Sequence, residues 1–327
     1  WLSRGQCPSQ AAPALPARPG HRVSRVLPLA LAVLAAVSPA AAQSPSPPPL
    51  RIEVDVGVVS VTAVVQDQAG RFVHGLTPQD VEIYEDGVRQ EVSYFREASG
   101  GEEARIPLSV VLVLDASGSM SKNLGFLQEA AAAFLRKLEE GDQAMVVQFN
   151  ESVKGSAEFT GDTERLEQFV EAVQAWGGTA LYDAVHYALN RIRDRPGRKA
   201  VVVFSDGADN TSSRKEQEVV DYARAVEATV YCIGIRGEGG LWARSPRGFL
   251  RRIASESGGA FFFPERVGEL MRVFFEISGE LNNHYLLSYA PKRPPDGSWR
   301  EIQVKLKRKD AEVRVRKGYF AVKRRGR

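Results

Sequence analysis

Side chains with oxygen donors at three places in the chain have the types and spacing of a metal site. They are Asp115, Ser117, Ser119, Thr179 and Asp206. The first three occupy alternate positions directly after the apolar run "VVLVL", and the last follows a second apolar run, "VVVF", and one serine. Hard oxygen ligands without His or Cys suit Mg²⁺, with Mn²⁺ or Ca²⁺ as alternatives, rather than Zn²⁺. Three neutral hydroxyls would leave such an ion electron-poor, so that it still attracts a carboxylate from outside.

The elements that must position these oxygens alternate between apolar strands and amphipathic helices. Predicted strands span 108–114, 144–149, 200–204, 229–235 and 260–263, and predicted helices span 123–139, 163–175, 180–194, 214–227, 246–257 and 266–282. This alternation predicts an α/β fold, a doubly wound and mostly parallel sheet with helices on both faces. Ligands of such sheets bind beyond the carboxyl ends of the strands. We therefore expect Asp115 and Asp206 to meet at that edge.

A different pattern, with period two, comes before and after the α/β segment. It covers residues 51–98 and 284–327, the latter ending in a basic tail. We predict a hairpin in the second segment, with Ala311, Val313 and Val315 returning as the partner of the strand that contains Ile302 and Val304. Neither segment has enough strands to be a comfortable domain alone. We expect the two to form one small antiparallel β-sandwich with the α/β domain inserted between them; the alternative is two separate β caps.

The polar residues resemble those of the von Willebrand factor type A domain. Its metal-ion-dependent adhesion site follows the order D-x-S-x-S, then T, then D, and all five positions match within residues 105–283. The resemblance implies that the hydroxyls of Ser117, Ser119 and Thr179 approach the metal, while Asp115 and Asp206 act directly or through water. The stretches "GLTPQDVEIYEDG" and "HYLLSYAP", with the leader described next, are similar to a bacterial secreted subfamily.

The first 42 residues have the pattern of a secretory signal peptide. Arg18, Arg22 and Arg25 precede an apolar run, and "AAA" lies before a plausible cleavage position at Gln43. A membrane anchor is the alternative, but the run is short for a bilayer span. Residues 43–50, "QSPSPPPL", predict a Pro/Ser linker. We expect secretion to the periplasm or the exterior, with no stable membrane span after cleavage.

Removal of the leader changes the charge and the cysteine count. It carries four of the 43 basic residues and none of the 40 acidic ones, so the formal charge moves from +3 to about −1. This balance does not suggest a nucleic-acid partner. Cys232 becomes the only cysteine, which excludes an intramolecular disulfide, and its strand-like surroundings predict a buried, inert thiol.

The sequence therefore predicts metal-dependent binding of an acidic group on another protein. A structural scaffold of an envelope complex, in which the metal only stabilises loops, is the alternative from a different class. An enzyme is the third hypothesis. We do not expect the protein to be an enzyme, because no positioned base or nucleophile is evident.

Several other polar residues receive simpler interpretations. Asp183 is interpreted as a charge at a helix N-terminus with a possible supporting role in the site, and His186 as a solvated side chain. Asp209 and Asn210 are interpreted as turn residues. The basic residues that cluster late in the chain are interpreted as a solvated β-face and a tail: Lys305, Lys307, Arg308, Arg314, Arg316, Lys323, Arg324 and Arg325.

Overall fold

A computed structural model describes residues 57–98, 106–235 and 246–322 of the chain. The predicted signal peptide over 1–42 and the predicted linker over 43–50 lie outside the described residues. In the described ranges, no helix has the length and apolar character needed to cross a membrane.

A six-stranded sheet forms the centre of the α/β domain. Its strands are β5 (Leu108–Asp115), β6 (Gln143–Phe149), β7 (Val153–Gly155), β8 (Arg198–Ser205), β9 (Thr229–Gly234) and β10 (Phe261–Phe262). Their order is β10-β9-β8-β5-β6-β7, and every pair is parallel except β6 with β7. The five predicted strands are confirmed. The three-residue edge strand β7 was missed because it is too short to show a period.

Helices cover both faces of this sheet. They are α1 (Leu124–Leu135), α2 (Thr163–Glu171), α3 (Leu181–Ile192), α4 (Glu216–Ala225), α5 (Pro246–Ser257) and α6 (Leu270–Asn282). Alternate residues of β5 enter two separate cores, Val110 and Leu112 with α1, α2 and α6, and Val111 and Val113 with α3, α4 and α5. Burial on both faces explains why this strand is a continuous apolar run. The predicted doubly wound α/β class is confirmed.

The β-segments on either side of the α/β domain form one sandwich of two four-stranded sheets. The strands are β1 (Val59–Asp67), β2 (Val81–Glu85), β3 (Val88–Gln90), β4 (Val92–Glu97), β11 (Tyr285–Tyr289), β12 (Trp299–Leu306), β13 (Ala311–Arg314) and β14 (Gly318–Phe320). The sheet orders are β13-β1-β11-β4 and β14-β12-β2-β3. Both therefore mix strands from the two ends of the chain, and Val61, Ile83, Leu287 and Ile302 share one core. The predicted antiparallel sandwich is confirmed.

The predicted hairpin within the C-terminal segment is wrong. β13 pairs with β1, from Val64↔Arg314 to Asp67↔Ala311, in the sheet opposite β12. The two edges of β12 are occupied by β2 and β14. The chain after Leu306 consequently crosses between the sheets, and β13 extends the sheet of β1 rather than returning beside β12.

Ionic contacts join the sandwich to the α/β domain. Arg314 of β13 forms an ion pair with Glu280 of α6, which is 2% exposed. Lys317 contacts Glu256 of α5 at 3.3 Å. Arg316 lies 3.6 Å from a glutamate that follows α4, Glu227. The interpretation of the late basic residues as a solvated face is thus wrong for Arg314 and Arg316, which bind the neighbouring domain.

Candidate metal centre

Asp115 ends β5 and is completely buried. One carboxylate oxygen, Oδ1, accepts a hydrogen bond from the Ser117 amide at 2.9 Å, and Oδ2 accepts one from the Ser205 hydroxyl at 2.6 Å. Burial raises the pKa of Asp115 to about 6; the hydrogen bonds from Ser117 and Ser205 oppose this shift, and the charge of Asp206 adds to it. Within the described residues, no Lys, Arg or His forms an ion pair with this carboxylate.

The two serines of the motif face one another. Their hydroxyl oxygens lie 3.1 Å apart. Ser117 precedes a 3₁₀ turn over Gly118–Met120 that follows β5, and Ser119 lies within it. Ser117 is buried and Ser119 is half-buried, while the fully buried Met120 anchors the turn in the core. The local sequence therefore places two hydroxyls together beside the carboxylate of Asp115, with one of them reaching the surface.

The loop that carries Thr179 is joined on one side to the loop after β5. The Trp176 amide donates to the Ala116 carbonyl at 2.9 Å, and the Gly118 amide donates to the Gly177 carbonyl at 3.1 Å. Gly177 has a φ of +72°, which is a conformation that favours glycine. These bonds hold the threonine loop alongside Ser117 and Ser119.

On its other side, the same loop is joined to the loop after β8. The Thr179 amide donates to Asn210 Oδ1 at 2.8 Å, and the Asn210 amide donates to the Thr179 carbonyl at 3.0 Å. A Cβ at Gly178 would lie 2.7 Å from Thr211 Cγ2 and 2.8 Å from Asn210 Oδ1, so any other residue here would displace the side chain that accepts the Thr179 hydrogen bond. The backbone of the threonine loop therefore packs against side chains of the loop after β8.

Asp206 follows β8 and is half-buried, with Oδ1 accepting a hydrogen bond from the Ala208 amide at 3.0 Å. Because β8 is the neighbour of β5, the two carboxylates sit at the same sheet edge, where the strand order reverses. The structure therefore brings together the three loops that carry the five predicted ligands. The prediction that these residues bind a metal remains a prediction.

Three residues that support the site were missed or underestimated. Ser205 bridges Asp115 and the Gly207 amide, and Asn210 orients Thr179. Asp209 accepts from the Tyr182 amide at 2.9 Å, at the start of α3. The sequence signal for Ser205 was its hydroxyl directly before Asp206. The roles of Asp209 and Asn210 gave no such signal, because they depend on contacts across about 30 residues.

Asp183 has its predicted place in the first turn of α3, whereas His186 differs from its interpretation. Asp183 accepts hydrogen bonds from Ser213 and Arg214, and although burial raises its pKa, these bonds outweigh that effect and lower it. It therefore fixes the loop that carries Asn210. His186 is half-buried and stacks on Tyr222 at 4.4 Å between ring centroids, and burial lowers its pKa. The interpretation of His186 as solvated is wrong.

The donor set fits a hard divalent cation. It consists of two carboxylates and three hydroxyls, which are oxygen ligands of the kind that Mg²⁺ and Ca²⁺ prefer. In the part of the chain that the structure describes, no group of three or more His, Cys, Asp or Glu side chains is arranged to hold a metal. An ion at this edge would thus depend on the serine and threonine hydroxyls as well as on Asp115 and Asp206.

Comparison with known proteins identifies the domain that carries this edge. A family model for the von Willebrand factor type A domain matches residues 109–275, about half of the chain. An uncharacterised protein of Synechocystis sp. (strain ATCC 27184 / PCC 6803 / Kazusa) is 24% identical over 202 residues. That match covers 58% of this chain and 47% of the relative, so the chain spans about half the length of the curated protein it matches.

Solved structures with a similar fold include several bacterial proteins. The vWF domain of the type V pili tip protein Mfa5 from Porphyromonas gingivalis is 16% identical, with a TM-score of 0.48, and the match covers 54% of this chain and 95% of that one. A von Willebrand factor type A protein from Catenulispora acidiphila is 14% identical, with a TM-score of 0.47, and the match covers 73% of each chain.

Proposed function

The chain belongs to the von Willebrand factor type A domain family, and from that premise we propose that it binds Mg²⁺ and, through the ion, a carboxylate of another protein. Domains of this family mediate protein–protein interaction, and the metal-dependent mode of binding is the specific proposal here. Asp115, Ser117, Ser119, Thr179 and Asp206 would hold the ion. Mn²⁺ and Ca²⁺ are compatible with the same oxygen donors.

The observation that carries the proposal is the buried, uncompensated carboxylate of Asp115. It is 0% exposed, and its described partners are neutral donors. A buried carboxylate without a cation is costly, and the nearby charge of Asp206 adds to that cost. A divalent cation held by the residues of this site would offset that cost.

The hydroxyl ligands explain how the ion could serve a partner. When bound, the cation supplies a positive charge that attracts an anionic oxygen. Ser117, Ser119 and Thr179 would orient it without adding negative charge. The two aspartates would then at most balance the charge of the ion, which would stay electron-poor enough to attract the partner's carboxylate. The main-chain hydrogen bonds from Trp176 to Ala116, from Gly118 to Gly177 and from Thr179 to Asn210 hold the loops that carry these hydroxyls, which favours a site formed before the partner arrives.

We further propose that the protein acts in the periplasm or outside the cell, as a binding protein rather than an enzyme. The basic, apolar and small-residue pattern over residues 18–42 supports secretion. The scaffold hypothesis and the enzyme hypothesis are the outcomes against which this proposal is tested.

Capture of a partner from bacterial envelope and secreted extracts, in Mg²⁺ and in EDTA, tests the function. We expect a partner that EDTA releases and that Asp115→Ala fails to capture, together with loss of Mg²⁺ binding by that variant in calorimetry. Asp310→Ala is the matched control, since this carboxylate is exposed on the sandwich and pairs with Arg308. Capture that persists in EDTA while EDTA lowers the melting temperature would indicate a scaffold, and turnover of a substrate panel would indicate an enzyme.

A further inference from the structure

Trp176 is an exposed aromatic side chain on the loop that leads to Thr179. Its exposed fraction is 54%, although its main chain is fixed by the hydrogen bond from its amide to the Ala116 carbonyl at 2.9 Å. Ala116 lies between two predicted metal ligands, Asp115 and Ser117. The indole therefore extends from backbone that is tied directly to the metal centre and leaves much of its surface to solvent.

We propose that Trp176 is a specificity-determining residue, which packs against an apolar side chain placed next to the partner's acidic residue. This inference rests on the proposed function, because the acidic residue is the one that the metal would bind. The preferred partner would thus be a segment in which an Asp or Glu has an aliphatic or aromatic residue within two positions.

The placement of the loop limits where the partner's apolar residue can lie. Trp176 comes three residues before Thr179, and Gly118, whose amide binds the Gly177 carbonyl at 3.1 Å, separates Ser117 from Ser119. A partner that places a carboxylate among these hydroxyls would come close to this loop, because its backbone is hydrogen-bonded to the residues on either side of Ser117. Since an extended chain advances about 3.3 Å per residue, only side chains close in sequence to the acid reach the indole.

The physical reason for specificity is the area that the indole can bury. Tryptophan combines a large apolar surface with low conformational entropy, and it is enriched among the residues that dominate interface energies. The ion would supply attraction for any carboxylate, but it cannot distinguish one acidic segment from another. An aromatic surface beside it can, because an apolar neighbour gains contact there and a polar neighbour does not.

Phe275 provides a matched control on the same domain. It is 50% exposed on α6, and the Lys137 ammonium lies 5.6 Å from its ring centroid. Lys137 follows the C-terminal end of α1, whereas the metal centre precedes the N-terminal end of that helix. Phe275 is therefore an aromatic side chain of similar exposure away from the site.

Selection of a displayed random peptide library on the full protein in Mg²⁺, followed by elution with EDTA, tests the inference. We expect the wild-type pool to be enriched in Asp or Glu and, within two positions of the acid, about tenfold in aliphatic and aromatic residues, corresponding to about 1.4 kcal/mol. Trp176→Ala should keep the acidic enrichment and the Mg²⁺ affinity but lose the apolar one. Trp176→Phe and Phe275→Ala should keep both.

Three results would overturn the inference, and they differ in whether the proposed function survives. Acidic peptides without an apolar preference, or a preference that persists in Trp176→Ala, would exclude the role of Trp176 and leave the proposed function intact. A pool without acidic enrichment after EDTA elution would contradict the metal-dependent function itself, and the inference with it. Equal Mg²⁺ affinity of wild type and Trp176→Ala establishes that the variant retains the folded site.

Discussion

Two regions of the protein bury carboxylates among different groups. At the carboxyl edge of the central sheet, Asp115 is 0% exposed and is contacted by a hydroxyl and an amide. In the sandwich and at its junction with the α/β domain, Glu85 and Glu280 are both 2% exposed, and each has an arginine. Burial is the same in the two regions, but compensation by a counter-charge is not.

This difference separates a structural acid from a candidate ligand. Glu85 of β2 contacts Arg300 of β12 at 3.1 Å and accepts hydrogen bonds from the hydroxyls of Tyr289 and Tyr319. Its charge is thus balanced within the fold, and it connects strands from the two ends of the chain. Asp115 has no such cation among the described residues, and this difference is the reason that we propose this region as the binding site.

The largest effect is expected from removing a counter-charge in the sandwich. Arg300→Met should leave Glu85 buried beside neutral hydroxyls and a half-exposed Arg293, and should destabilise the protein by about 3–5 kcal/mol. Urea unfolding followed by circular dichroism measures this loss. Arg308→Met, which breaks an exposed pair with Asp310, is the control and should cost less than about 1 kcal/mol. Similar losses in the two variants would contradict the distinction between compensated and solvated acids.

A pH effect is expected at the junction, where His284 lies between α6 and β11. Burial, aided by the charge of Arg198, lowers the pKa of His284 to about 4, below its ordinary value of 6.5. The unfolded chain therefore binds the proton more tightly, and stability should fall as the pH decreases from 6.5 to 4, by at most about 3 kcal/mol.

The measurement is the free energy of unfolding at intervals over that pH range, for wild type and for His284→Asn. The variant lacks the titrating ring, so its stability should fall less steeply, and the difference between the two curves isolates the histidine from the acidic residues that titrate nearby. Parallel curves would show that the junction does not hold this ring neutral.

Asp115→Asn should change the stability of the protein in the opposite direction to Arg300→Met. Because burial raises the pKa of Asp115 to about 6, its ionised form destabilises the metal-free protein at pH 7, and the amide should stabilise it by about 2 kcal/mol in EDTA. Wild type should gain about 2.7 kcal/mol from Mg²⁺ at 100 times its Kd, and the variant nothing. Thermal unfolding with and without Mg²⁺ tests both statements, and an Asn variant that is less stable in EDTA would refute the first.

The smallest effect is expected from Ser205→Ala. This variant removes the hydroxyl that donates to Asp115 at 2.6 Å, and the loss of one hydrogen bond to a charged group should cost about 1–2 kcal/mol and weaken Mg²⁺ binding by roughly tenfold. Ser121→Ala is the matched control, since this neighbouring hydroxyl donates to the Gly118 carbonyl instead. Calorimetric Mg²⁺ titrations compare the two. Equal Kd values would mean that Ser205 does not prepare the carboxylate for the ion.

Local patterns predicted much of the fold and the identity of the candidate ligands. The apolar run that forms β5 and the helical spacing of α3 depend on residues that are close in sequence, as does the D-x-S-x-S turn. The hairpin failed because local alternation identifies a strand but not its partner. β13 was assigned to a neighbouring strand, although it pairs with β1 about 250 residues away.

What the sequence alone determined is therefore the order of elements, the α/β class and the positions of five oxygen donors at strand and loop ends, because period and spacing are local properties. Only the tertiary structure decided which acids are compensated. Arg314 reaches Glu280 across a domain boundary, Arg300 reaches Glu85 across 215 residues, and no comparable cation reaches Asp115 among the described residues. Charge balance depends on distances of a few ångströms between remote segments, and a linear pattern does not contain those distances.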